Sequence, residues 1–147
     1  MSQGETVGPL NRSVGYALKR AATALRVAME TALRPLDLTV PQYSCLEVLS
    51  QRPGLSNAEL ARAVFVTRQS MNLVLRGLQD RGLVTRPATA PQGRALPSTL
   101  TPAGRAQLQT ASGLVRTVEN RMLAPFSAAQ QDRLLHDLAA CVDAVTE

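Results

Sequence analysis

Residues 67–81, Thr-Arg-Gln-Ser-Met-Asn-Leu-Val-Leu-Arg-Gly-Leu-Gln-Asp-Arg, constrain this chain more than any other stretch. Wound at about 100° per residue, Met71, Val74, Leu75 and Leu78 fall on one apolar stripe, which predicts an amphipathic helix with one dry side. The adjoining face collects Arg68, Gln69, Asn72, Arg76 and Gln79, with no carboxylate among them. Guanidinium, amide and hydroxyl groups on one helical face suit a major groove. There, Arg pairs with guanine edges, Asn or Gln with adenine edges, and further Arg reaches phosphate. A plain solvated face can share this composition, so the flanking sequence decides between the two.

Upstream, Ser56-Asn-Ala-Glu59 is a capping box that opens a short helix through Leu60, Ala61 and Val64. Phe65-Val66 makes a tight connection, and Thr67 caps the next helix. Two short helices in this order, the second with the polar face, form a helix-turn-helix. Gly82 is placed as a C′ glycine. The runs Leu83–Pro87 and Leu96–Leu100 are short β-type segments around a Pro- and Gly-rich stretch, Ala88–Ala95, and Pro97 puts its strand at an edge. A hairpin directly after a helix-turn-helix is a wing.

On either side lie longer helices. From Asn11 to Leu36 apolar residues recur every three or four positions until Pro35 closes the helix. That helix is too long for one side of a small lobe to cover, so part of it should meet another chain. Thr39-Val-Pro-Gln42 opens a second helix to about Ser50, and Arg52-Pro-Gly54 breaks it. Thr101-Pro102 starts a helix to about Leu123, Pro125 interrupts, and Ser127–Gln130 caps a last helix with Leu134, Leu135, Leu138, Val142 and Val145. Residues 1–10 read as a flexible arm. The expected fold class is therefore mainly α with a small β-hairpin wing. Residues 38–100 form a winged helix-turn-helix lobe (wing 83–100), and 11–36 with 101–147 form a helical dimerisation region.

Charge placement supports the groove reading. The net charge is +5, yet Arg52–Arg105 holds eight Arg against two acids, while the rest has eight basic and nine acidic residues. The whole positive excess sits around the polar helix face. With 3% aromatic residues and no Trp, the core must be built of Leu, Val and Ala. The N-terminus lacks the basic and apolar regions of a signal peptide, and no run approaches ~18 apolar residues, so a cytoplasmic protein without a membrane span is expected. Cys45 and Cys141 lie 96 positions apart, outside any metal-type spacing, and His136 is the only histidine. Neither a metal nor a cofactor is expected. With no Gly-rich phosphate loop and no nucleophile–base pair, neither is catalysis.

These residues resemble the MarR family of winged helix-turn-helix transcriptional regulators from about Val14 onward. The landmarks are Leu38-Thr39-x-x-Gln42-Tyr43, Ser56-x-x-Glu59-Leu60-Ala61, Thr67 through Leu78, Gly82-Leu83-Val84-x-Arg86 and Leu100-Thr101-x-x-Gly104. One departure concerns the wing tip, where the family's usual Asp-x-Arg is replaced by Pro91-Gln-Gly-Arg94, keeping the arginine without its supporting acid. The resemblance implies a homodimer that acts on a pseudo-palindromic operator as a repressor or activator. It also implies release of double-stranded DNA by a small anionic or phenolic effector, or by thiol oxidation.

On this basis Arg68, Gln69, Ser70 and Asn72 are expected at base edges. Arg76 and Arg86 are expected on phosphate, with Ser56 and Thr67 aiming helix amides at phosphates. Arg94 is expected in a narrow minor groove. For an effector, Arg12, Tyr16, Lys19 and Arg20 on the first helix and Tyr43 on the second offer cations beside phenol rings. Service at a subunit interface or plain solvation explains the same residues. Cys45 and Cys141 are both expected as buried small hydrophobes, which leaves a redox-responsive regulator as one alternative. A winged-helix module for protein contact is the other, opposed by retention of Arg68, Arg76, Arg86 and Arg94.

Overall fold

The computed structural model describes residues 6–87 and 97–146. Helix α1 (Val14–Leu33) begins at Ser13, whose hydroxyl accepts the Tyr16 amide. The segment expected as one helix from Asn11 to Leu36 is thus divided. A separate 3-10 turn, Leu10–Arg12, precedes it, because the extended backbone of Ser13 interrupts the helical path. A second 3-10 turn, Arg34–Leu36, holds Pro35, and Asp37 reverses the chain with a left-handed φ of 55°. Thr39 and Gln42 then form a reciprocal capping box for α2 (Val40–Gln51), satisfying two of the amides that a helix start leaves orphaned.

The lobe continues with α3 (Asn57–Val64) and α4 (Arg68–Asp80), joined through Phe65 at φ 66°. Next come β1 (Val84–Thr85), β2 (Thr99–Leu100), α5 (Pro102–Leu123) and α6 (Ala128–Val145). One core unites these elements. Leu33 from α1, Leu46 and Leu49 from α2, Leu60 from α3, Met71, Leu75 and Leu78 from α4 and Val84 from β1 are all buried, and α5 closes over them with Leu108 and Ala111. The apolar stripe expected on α4 is therefore the side that faces inward, with Val74 packed at its margin.

The wing ladder is shorter than its two runs suggest. It consists of the antiparallel pairs Val84↔Leu100 and Thr85↔Thr99, with the two threonine hydroxyls 3.0 Å apart. Beyond the ladder the Ser98 amide turns away to the Leu55 carbonyl at 3.4 Å, and Pro87 and Pro97 have no amide proton to donate. Its base is tightly fixed: the Thr101 hydroxyl donates to the Gly82 carbonyl at 2.6 Å, and the Thr101 amide to the Leu83 carbonyl at 3.1 Å. Gly82 supplies the positive φ (73°) that turns α4 into β1. The tip expected at Ala88–Ala95, with Arg94, lies outside the described residues.

The outer helices are covered far less. Only Leu33 of α1 is buried, and α6 buries none of its residues. Leu134, Leu135, Leu138 and Val142 on α6 and Val14, Leu18 and Val27 on α1 stand exposed. No helix among the described residues is long and apolar enough to cross a membrane.

Candidate nucleic-acid interface

Helix α4 is capped at its start and tied to neighbouring elements further along. At its start the Thr67 hydroxyl accepts the Ser70 amide at 3.0 Å, and the first turn contains no acid. The Asn57 side-chain amide donates to the Asn72 carbonyl oxygen, tying α3 to α4 one turn in. At the other end Arg81 donates to the carbonyls of Asp37 at 2.7 Å and Leu36 at 3.2 Å. The Leu36 carbonyl also receives Gln107 of α5 at 3.2 Å. The helix cannot rotate about its axis without breaking one of these contacts.

So held, α4 presents Arg68, Gln69, Ser70, Asn72 and Arg76 to solvent, opposite the core-facing Met71, Leu75 and Leu78. The open first-turn amides and the positive end of the helix dipole are available to an anion beside Thr67. Ser56 differs. Its hydroxyl accepts the Glu59 amide while the Glu59 carboxylate accepts the Ser56 amide at 3.0 Å, so an acid already occupies the start of α3. Hydrogen bonds from the Ser56 amide and hydroxyl hold that carboxyl below its ordinary pKa, keeping it charged. The structure thus separates the two expected phosphate caps. Asn72 is also partly engaged, since a bidentate adenine contact needs the oxygen that Asn57 now occupies.

Arg86 emerges past β1, half-buried, with its Nε buried and without a hydrogen-bond partner among the described residues. Arg94 belongs to the undescribed tip. Sequence reasoning missed two features of this face. Leu73 is 65% exposed among the polar side chains of α4, a position that winding the helix makes visible. The Arg81 tie spans more than forty positions, and no local pattern could have revealed it.

The residues expected around an effector do not all meet. Tyr16, Lys19, Arg20 and Thr23 share one open shelf along α1, whereas Arg12 sits in the preceding 3-10 turn. Tyr43 is buried in the seam between α2 and α5, where Ser112 donates to Glu47 at 3.1 Å. Burial, reinforced by the Glu47 charge, raises its phenol pKa. Tyr43 lies apart from the shelf because its side of α2 faces α5. A more enclosed groove of about 630 Å³ lies between α1, the start of α2 and the α3–α4 turn. Leu38, Val40 and Val66 line it, with Arg26 and Arg34 among its charged residues.

Cys45 is buried as expected, and burial pushes its thiol up to about 12. Cys141 is exposed, contrary to expectation, because α6 lies outside the core of the chain. His136 is exposed on the same helix. Among the described residues no group of three His, Cys, Asp or Glu could hold a metal ion.

A helix-turn-helix, a two-stranded wing behind it and an acid-free cationic face on the second helix define a winged helix-turn-helix protein. The MarR family model matches residues 36–95. The HTH-type transcriptional repressor Rv2887 of Mycobacterium tuberculosis is 52% identical over 118 residues, spanning 80% of this chain and 85% of the relative. Solved structures of the MarR family protein Rv2887 include a complex with DNA (45% identity, 87% of this chain and 96% of that one, TM-score 0.72). Another is a complex with salicylic acid (48% identity, 87% and 95%, TM-score 0.72). This chain belongs to the MarR family.

Proposed function

We propose that the protein is a homodimeric, DNA-binding transcriptional repressor whose grip on a pseudo-palindromic operator is relieved by a small aromatic or anionic ligand. The observation that carries this reading is α4: buried on one side, tied to α3 and to the α1–α2 bend, and showing Arg68, Gln69, Ser70, Asn72 and Arg76 on the other. Arg68 and Gln69 near its start take base edges, while Arg76 and Arg86 take phosphates. Arg86, half-buried just past β1 on the lobe that carries α4, is a cation placed beside that face. Thr67 serves phosphate better than Ser56, whose helix start already holds Glu59. Arg94 is assigned to the minor groove from the sequence alone. The DNA complex of Rv2887 supports the same use of the fold.

Dimerisation rests on the uncovered helices. An 18-residue α6 that buries nothing and exposes Leu134, Leu135, Leu138 and Val142 is an apolar surface seeking a partner, and α1 shows Val14 and Leu18. The effector reading rests on the salicylic acid complex of Rv2887 and on the α1 shelf, where Lys19 and Arg20 lie beside Tyr16. A shelf made by one helix is open on its far side, so a second copy would have to complete it. Tyr43 drops out of this site, and Arg12 stands at its end. The burial and high thiol pKa of Cys45 disfavour the redox alternative.

The test is a salt-dependent mobility shift on DNA from upstream of the protein's own reading frame, with sedimentation to count subunits. Tight binding that weakens steeply between about 50 and 200 mM salt, by a dimer, is expected. Salicylate should release that DNA from wild type but not from Arg20→Ala. A monomer, or affinity independent of salt, would overturn the reading. Release lost in Arg34→Ala but kept in Arg20→Ala would move the effector to the 630 Å³ groove.

A further inference from the structure

Leu73 stands where the fold offers it no partner. It is 65% exposed, whereas Met71, Leu75 and Leu78 on the same helix are fully buried. At about 100° per residue Leu73 lies roughly 200° around α4 from Met71, almost diametrically away from the core. Its nearest companions on that face are Gln69, one turn before it, and Asn72 and Arg76 beside it. An isolated surface leucine needs no explanation. A leucine in the middle of a face otherwise made of donors and cations, on a helix whose opposite side is fixed in the core and which is tied to α3 by Asn57 and to the α1–α2 bend by Arg81, is a different matter.

In a major groove the base edges present donors, acceptors and one apolar group, the C5-methyl of thymine. Resting on the DNA-binding role proposed above, we infer that Leu73 is a specificity-determining residue that reads a thymine methyl group. The geometry fits a neighbouring base pair. One helical turn from Gln69 to Leu73 advances about 6 Å, and base pairs are stacked about 3.4 Å apart, so the two side chains address positions within two steps. The polar residues then supply hydrogen bonds, and Leu73 supplies discrimination against cytosine and against purines at its own position. Its contribution is the contact worth of one buried methyl group, which corresponds to about fourfold in affinity.

The test uses the full-length protein and a pool of duplexes with a randomised central segment. Sites are enriched in parallel by wild type and by Leu73→Ala, a substitution that suits an exposed helical position and leaves the core intact. Wild type should enrich thymine at a position that Leu73→Ala leaves unselected, with the remaining preferences shared. Replacing that thymine by deoxyuridine, which removes only the methyl, should weaken wild type about fourfold and leave Leu73→Ala unaffected. Identical enriched sequences, or equal losses on deoxyuridine, would overturn the assignment while leaving DNA binding intact. Failure of wild type to retain any duplex at low salt would overturn the DNA-binding role and this inference together.

Discussion

Two glycines in α5 should respond to the same substitution with opposite signs. Gly104 lies where α5 crosses the wing base. A Cβ built there would overlap the Leu83 carbonyl oxygen and lie 3.0 Å from the carbonyl carbon, both of them backbone atoms. Leu83 cannot retreat freely, because its carbonyl accepts the Thr101 amide at 3.1 Å and the adjacent Gly82 carbonyl accepts the Thr101 hydroxyl at 2.6 Å. Overpacking of this kind costs about 1–3 kcal/mol, and weakening two hydrogen bonds adds about 1 kcal/mol each. Less than about 1 kcal/mol returns as helix propensity, so Gly104→Ala should destabilise by roughly 3 kcal/mol. Gly113 has nothing within 4 Å of the same atom, so Gly113→Ala should stabilise by about 0.5–1 kcal/mol. Urea unfolding at one fixed protein concentration measures both, since association contributes to apparent stability. A Gly104→Ala midpoint equivalent to less than about 1 kcal/mol of loss would refute the close crossing of α5 over the wing base.

Thr67→Ala should cost about 1 kcal/mol in the same urea assay through loss of the cap on α4, and Thr67→Asn should restore it. At pH 8 a thiol reagent should reach Cys45 only in denaturant, whereas Cys141, on the same side of α6 as Leu134 and Leu138, should react in native buffer only as far as the dimer leaves it open. Rapid modification of both under native conditions would contradict the thiol pKa of about 12 at Cys45. Because the folded pKa of Glu59 is depressed, its capping contribution is present above the ordinary value of 4.5 and lost as pH falls through the lower folded value. An NMR titration of the Glu59 carboxyl carbon should show a midpoint below 4.5 that rises in Ser56→Ala.

What could be read from the sequence was what is local. Caps at Thr39, Ser56, Thr67, Thr101 and Ser127 each act within four residues, and all five form as their spacing predicts. The inward stripe of α4 is likewise a property of one helix. The misjudged features depend on other elements. The sequence places a phenol at both Tyr16 and Tyr43, but the direction in which α2 meets α5 decides the burial of Tyr43. Cys141 looked like core material, yet its exposure depends on where α6 lies. The short wing ladder depends on the Ser98 amide being drawn to the Leu55 carbonyl, which the lengths of the runs do not disclose.

The Arg81 tie bears on how the two regions of the chain can communicate. The Leu36 carbonyl accepts from Arg81 at the end of α4 and from Gln107 on α5, at the bend where α1 passes into α2. The groove between α1 and the lobe reaches both ends of α4: Asp37, which also accepts from Arg81, lines one wall, and Phe65 and Val66, which lead into α4, line another. A displacement of the α1–α2 bend must therefore carry the end of α4 with it or break both of its bonds to Arg81. Each is charge-assisted and worth on the order of 1.5–3 kcal/mol when removed, and Met71, Leu75 and Leu78 hold α4 in the same core as Leu33 at the end of α1. Shared core packing and the Arg81 bonds both couple α4 to this bend, so motion of the bend is transmitted to the face that bears Gln69 and Arg76. The orientation of α4 thus depends on the same joint that any molecule seated in the groove against α1 would disturb.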